Sequence, residues 1–364
     1  MKCPDRPRRR LVDAAVAIGL DRPHGDDLGF VDALFCSVTF PRSRIDGRVY
    51  ESMSGRAHLR VEAGCVLVGE RWVQVPLPFG PLPRLLMCWL VTQSLRRDTQ
   101  KVCVGGSASA FLRALGKTPR GAQTNRGGLA ALRQQIEALA VCRIQIGWIQ
   151  NGRTRTENVQ PVASIEVWTR RNDELRSEWE PIVELTEDFR RRLQKHAVPI
   201  DIRALRALGS SALAIDVYCW LIRRTAKLKA PVFIPWLALH RQFNAESAPV
   251  GRKNFKRQLK ASLSRVLVVA PSLGVSVVRG GVRIVPSDAS AARGRSCPQK
   301  AVGTKSYPND IATPRSTTSS PRSTGAMYDI ATPLKLIASS ERDPDSSEPQ
   351  PVGSYLPLAR LGAR

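Results

Sequence analysis

Residues 250–267 read VGRKNFKRQLKASLSRVL, with Arg252, Lys253, Lys256, Arg257, Lys260 and Arg265 and no carboxylate. At 100° per residue, Phe255, Leu259, Leu263 and Val266 fall in one narrow stripe, as in a helix anchored along one face. Lys253, Lys256, Arg257 and Lys260 fall within about 100° of one another on the opposite side. Like charges four residues apart repel, and Lys253–Arg257 and Lys256–Lys260 are both such pairs. An ordinary solvated face mixes signs; this one does not. Eight basic residues and no acidic one lie between Glu246 and Asp288, Arg279 and Arg283 among them. The segment is expected to turn a cationic face toward a polyanion.

The flanking sequence gives this helix a setting. ALAIDVYCWLIRRTAKL, 212–228, spaces Leu213, Asp216, Val217, Trp220 and Leu221 as a helix does. PVFI reads as a short strand, and PWLALHRQF, 235–243, as a helix opened by proline. VSVVRGGVRIV, 275–285, reads as a hairpin around Gly280-Gly281. Helix, strand, helix, helix, hairpin is the order of a winged helix, whose third helix enters the DNA major groove.

The same order is written once before. LPRLLMCWLVTQSLRR, 82–97, is a helix with Pro near its start, and KVCV a short strand. SASAFLRAL, 107–115, is a helix with a serine N-cap, stopped by Gly116. A third helix lies within 121–139, with Leu129, Leu132, Ile136 and Leu139 on one face. VCRIQIGWI and TRTENVQPVASIEVW then flank an Asn-Gly turn as a hairpin. Before that third helix stand Arg120, Gln123, Thr124, Asn125 and Arg126, side chains suited to base edges and phosphates. Gly127-Gly128 costs about 1 kcal/mol per residue inside a helix, which leaves two readings. Either these residues read DNA, or this copy serves mainly for dimerisation.

Charge follows the same division. The formal net charge is +25, carried as +2 on 1–80, +9 on 81–170, +11 on 171–286 and +3 on 287–364. Charge therefore sits on the apolar, periodic middle and not on a tail. Eight cysteines without a CxxC pair, several in apolar runs, read as reduced buried thiols of a cytoplasmic protein. The N-terminus begins basic and turns apolar, but Asp13 interrupts it and no signal-type cleavage site follows, so no signal peptide is expected. No run approaches the ~18 apolar residues of a membrane span.

The expected organisation is a flexible stretch over 1–35, irregular or short-strand structure over 36–80, one winged helix over 81–170 and another over 171–286. Residues 287–364, rich in Ser, Thr, Pro, Gly and Arg and carrying DIATP at 310–314 and 329–333, are expected to be a disordered tail. The fold class is α+β, mostly helical. No Walker A sequence is present, and His24, His58, His196 and His240 stand apart with no HxH pair. No catalytic, cofactor-binding or metal-binding residues are expected, and the acidic cluster at 173–188 reads as a surface segment with TED at a helix start.

VPLPFGPLPRLLMCWLVTQSLR, VELTEDFRRRLQKHAVPIDIRALRAL, SALAIDVYCWLIRR, FIPWLALHRQF and NFKRQLKASLSRVL together resemble the plasmid-encoded RepA replication initiator family, over roughly 70–286. The resemblance implies a theta-type initiator that binds repeated origin sites (iterons) as double-stranded DNA. It also implies opening of adjacent AT-rich DNA, recruitment of the host initiator ATPase and replicative helicase, and a homodimer that represses its own gene. A winged-helix transcriptional repressor without initiator activity is the alternative. In either case Arg252, Lys253, Lys256, Arg257 and Lys260 would contact DNA, with Arg279 and Arg283 reaching the backbone from the hairpin.

Overall fold

Caps and chain-breakers set the helix ends that frame this protein. A computed structural model describes residues 6–21, 23–55, 57–104, 108–117, 128–150, 153–166, 182–243 and 251–286. In chain order the elements begin with α1 (Arg6–Leu20), β1 (Leu28–Asp32), β2 (Val49–Ser54), β3 (Ala57–Glu62), β4 (Cys65–Val68) and β5 (Arg71–Gln74). Next come α2 (Pro81–Arg97), β6 (Lys101–Cys103), α3 (Ala108–Ala114), α4 (Gly128–Val141), β7 (Arg143–Gln150), β8 (Arg153–Asn158) and β9 (Val162–Ile165). Then follow β10 (Ile182–Leu185), α5 (Glu187–His196), β11 (Ala197–Asp201), α6 (Ile202–Leu208) and α7 (Ala212–Lys227). The last are β12 (Val232–Pro235), α8 (Trp236–Phe243), α9 (Arg252–Val269), β13 (Val275–Val278) and β14 (Gly281–Ile284).

α2 starts at Pro81, whose missing N–H costs nothing in a first turn, and stops where Asp98 turns left-handed at φ 51°. The hydroxyls of Thr186 and Ser211 accept from the backbone N–H of Phe189 and Ala214, capping α5 and α7. The TED helix start expected from sequence is thus found, with Glu187 and Asp188 in the first turn and Lys195 and His196 in the last, matching the helix dipole.

Among the described residues the fold is mixed α/β, with 47% helix and 28% strand. Among the described residues, five antiparallel sheets have the orders β1-β11, β2-β3-β7-β8, β4-β5, β6-β10-β9 and β12-β14-β13. In the later half, β12 pairs with β14, so the strand after α7 and the hairpin after α9 share one sheet. The earlier half departs from the expected pattern. The β7–β8 hairpin joins β2-β3, while β6 pairs with β10. The short strand and the local hairpin lie in separate sheets.

The first strand is tied to the later half of the chain. β1 pairs residue for residue with β11, Leu28 opposite Asp201 through Asp32 opposite Ala197. Phe30, Val31, Leu34 and Leu11 are buried, and α1 packs on α6 and α9. Burying these apolar groups offsets the ordering entropy that a flexible arm would have kept. The boundary drawn at 170/171 is crossed by β10, which joins β6 and β9, and by the buried Arg84–Asp216 pair between α2 and α7. All described residues belong to one compact unit. Its core is continuous from Leu34 and Leu86 to Val266 and Ile284. The tail 287–364, with both DIATP copies, lies outside the described residues, as does Ser107, the expected cap of α3.

Cys36, Cys88, Cys142 and Cys219 are buried free thiols, whereas Cys65 and Cys103 are half-buried. Burial pushes the Cys88 and Cys142 thiols up to about 12 and raises Cys36 and Cys219 as well. Since the thiolate is the nucleophile, iodoacetamide at pH 8 should label Cys65 and Cys103 in the native protein and spare the other four until denaturant is added. Mass mapping of the labelled peptides checks this. Native labelling of Cys88 as fast as Cys65 would contradict the packing.

Candidate nucleic-acid interface

α9 carries the stripe expected of it. Phe255, Leu259, Leu263 and Val266 are each no more than 2% exposed, packed toward α7, α8 and α1. Each such side chain contributes about 1.5–3 kcal/mol by leaving water, so the helix is held firmly by its apolar face. Arg252, Lys253, Lys256, Arg257 and Lys260 are exposed on the other. Gly251 precedes the helix without a side-chain cap, and no acidic residue stands in its first turn.

Two aromatic contacts order the cationic face. The Lys256 Nζ lies 5.1 Å and the Lys260 Nζ 5.8 Å from the ring centroid of Trp236, the first residue of α8. Such cation–π contacts hold flexible ammonium groups near one place without neutralising them. The Trp236 backbone N–H donates to the Gly280 carbonyl at 3.1 Å, which ties the β13–β14 turn to the same point. Arg279 in that turn and Arg283 on β14 are exposed. The structure thus gathers the α9 lysines and the hairpin around one indole, a link that sequence reading missed. Trp236 follows Pro235 at a helix start, and nothing local signals what its ring will meet.

Remaining polar contacts brace the helix from its sides. Arg257 Nη2 donates to Asn254 Oδ1 at 2.7 Å, and Arg265 Nη2 to Ser210 Oγ at 2.6 Å. Arg42 Nη1 donates to Gln258 Oε1 at 3.5 Å, bringing the N-terminal part of the chain to α9. Arg265 is half-buried and fixed to Ser210, which sets it apart from the open cations.

The helix that decides how to read this face is α5. FRRRLQKH is also densely basic, yet Arg190 pairs with Asp98 and Glu187, Arg191 with Glu187 and Asp188, and Arg192 with Asp32 and Glu157. That is how a basic surface looks when the protein uses its charge internally. Among the described residues, no cation of α9 forms an ion pair, nor does Arg279 or Arg283. Two basic helices of one molecule have opposite electrostatic habits. α9 is the one left open.

Arg120, Gln123, Thr124, Asn125 and Arg126 lie outside the described residues, and α4 begins at Gly128, after them. Among the described residues, no group of three or more His, Cys, Asp or Glu is placed to hold a metal ion. No helix among them is long and apolar enough to cross a membrane. A cavity with about 30 Å³ of space lies between α2, α7 and the 31–40 segment, lined by Asp32, Arg84, Asp216 and Cys219. It has room for about one water molecule.

Residues 77–232 match the model of a family described as "Plasmid encoded RepA protein". The resemblance read from the sequence is therefore found again, over a narrower span that ends before α9. Among solved structures, the chain is similar to domain 2 and domain 3 of RctB. Identity is 12%, coverage is 71% of this chain and 96% of that one, and the TM-score is 0.44. No curated protein matches the chain.

Proposed function

We propose, taking the match of residues 77–232 to the plasmid-encoded RepA family as premise, that this chain is a plasmid replication initiator that binds double-stranded origin DNA. One observation carries the DNA-binding reading: among the described residues α9 presents Lys253, Lys256, Arg257 and Lys260 with no carboxylate partner, while the three arginines of the equally basic α5 are all paired. A phosphate backbone is the counter-charge such a face lacks.

In this reading α7, β12, α8, α9 and the β13–β14 hairpin form a winged helix, with α9 in the major groove and Arg279 and Arg283 at the adjoining backbone. Support comes from the three-stranded sheet order β12-β14-β13, which sets the hairpin beside the helix it follows. α2, β6, α3 and α4 form a second module, with β9 and β10 in the place of its wing because they share the sheet of β6. The targets are repeated sites, which two such modules suit. The chain performs no covalent chemistry, acts in the cytoplasm, opens adjacent DNA, and brings in the host initiator ATPase and replicative helicase. A homodimer would serve as its own repressor.

The test is a transformation assay. This gene with its flanking DNA, on a fragment that cannot otherwise replicate, should yield stable transformants. A frameshift in the gene should yield none, and supplying the protein in trans should restore them. No transformants, together with tight salt-sensitive binding to the same DNA, would favour a transcriptional repressor built on the same fold.

A further inference from the structure

One exposed aromatic stands beside the cationic face. Phe233, on β12, is 52% exposed, whereas its strand neighbour Ile234 is 5% exposed. Alternation puts Phe233 on the outer face of the β12-β14-β13 sheet, in one cross-strand row with Arg283 and Ser276. Arg283 and Ser276 are exposed too, and Val278, at 37%, widens the apolar part of the patch. An aromatic ring left half in water forgoes about 1 kcal/mol or more of burial, so its position needs a reason.

The turn is shaped around that ring. A Cβ at Gly280 would lie 3.5 Å from Phe233 Cζ, and one at Gly281 2.9 Å from Cε2. Gly280 also has φ +90°, which side chains rarely adopt. The ring therefore lies across a glycine turn with one side open, and does not project as a wedge. The Gly280 carbonyl accepts from the Trp236 N–H, and the Trp236 ring sits beneath Lys256 and Lys260. The open ring face, Arg279, Arg283 and the α9 lysines are thus parts of one surface, in a segment with no acidic residue from 251 to 286.

From this placement we infer that Phe233 is a duplex-DNA contact: its open face packs flat on deoxyribose rings in the groove beside the one α9 enters, while Arg279 and Arg283 hold the flanking phosphates. The inference rests on the DNA-binding reading above and adds an apolar contact to it. Sugars are the apolar part of a nucleic-acid backbone, so this chemistry matches an aromatic set among arginines. A ring laid along the turn also excludes insertion between bases, which needs a projecting side chain.

The experiment uses the full chain and a duplex from the DNA flanking its gene, followed by fluorescence anisotropy at several salt concentrations. Phe233→Ala should weaken binding about 10-fold with the salt slope unchanged, since an apolar contact releases no counterions. Arg283→Ala should instead lower that slope by about 1. Hydroxyl-radical footprinting of the wild type gives a readout independent of any variant's folding, and should show protected sugars in the groove next to the α9 site. Phe233→Ala should remove that protection alone. Unchanged affinity, or sugars left unprotected, overturns the contact while leaving DNA binding by α9 intact. Permanganate-reactive thymines beside the site would overturn it in favour of a wedge, and a fall in self-association with Phe233→Ala would overturn it in favour of a protein interface. Absence of any salt-dependent binding by the wild type brings down both readings together.

Discussion

Lys256→Ala combined with Arg257→Ala should abolish measurable binding to origin duplex at physiological salt, while far-UV circular dichroism and the melting temperature stay at wild-type values. The reasoning starts from what these side chains do in the free protein. Lys256 rests against Trp236 and Arg257 donates to Asn254, both on the exposed face, and neither supports the core. Fold stability therefore should move by less than about 0.5 kcal/mol. Removing one side chain that holds a base or phosphate costs about 1–3 kcal/mol of binding, so two at the centre of the face remove at least about 100-fold in affinity. A charge-matched control separates local contact from bulk charge. Arg190→Ala with Arg191→Ala removes the same two charges from α5, where both are already paired, and should change affinity only slightly. Gel shift and anisotropy on both double variants decide the matter. Wild-type affinity for the α9 pair, or an equal drop for the α5 pair, would refute α9 as the reading element.

How much of this was written in the sequence depends on the distance between interacting residues. α9 was legible in full because its information is local: one repeat of apolar residues and one run of unmixed charge determine both faces. The later hairpin was legible for the same reason, since Gly280 marks its turn and β13 and β14 are adjacent in the chain. The earlier half defeated local reading. β6 is only three residues long, and its partner β10 begins at Ile182, far along the chain; nothing near Lys101 names that partner. β7 and β8 do form the expected hairpin, yet β7 gives its other edge to β3. β1 was hidden likewise, because Leu28–Asp32 shows no alternation and becomes a strand only when β11 lies beside it. At the interface, residue types were readable but their mutual placement was not. Lys256 and Lys260 were recognisable as a pair, whereas the indole between them and the hairpin comes from a different helix. Phe233 had one available signal, an aromatic alternating with the apolar Ile234 in a four-residue strand, facing the way of Arg283.

The same limit explains Asp216, and from it follows the largest expected effect on stability. ALAIDVYCWL puts one carboxylate in an otherwise apolar helix, and LPRLLMCWL puts one guanidinium in another. They meet across 132 residues: Arg84 Nε lies 2.6 Å from Asp216 Oδ1 and Nη2 2.8 Å from Oδ2, with both side chains under a tenth exposed. Arg84 spends its remaining donors on the carbonyls of Phe40, Pro41 and Gly80. The guanidinium thus pins α2, α7 and the 40–41 segment together. Asp216→Ala would leave that guanidinium buried without its counter-charge, and should cost about 3–5 kcal/mol, read as a lower urea midpoint. Replacing both partners, Arg84→Met with Asp216→Leu, should recover most of that stability, because a well-packed apolar pair is often as stable as a buried ionic one. A double variant as unstable as Asp216→Ala would mean that Arg84's backbone hydrogen bonds, and not its charge, hold the helices. Acidity gives a second handle. Burial raises the Asp216 carboxyl above its ordinary value while Arg84 pulls it down, so the folded chain binds this proton more tightly than the unfolded one. That contribution is present at acid pH and is lost as pH rises through the folded value. The stability of wild type relative to Asp216→Asn should therefore rise as pH falls toward the ordinary Asp value of 3.8, and a relative fall on acidification would reverse the assigned balance between burial and Arg84.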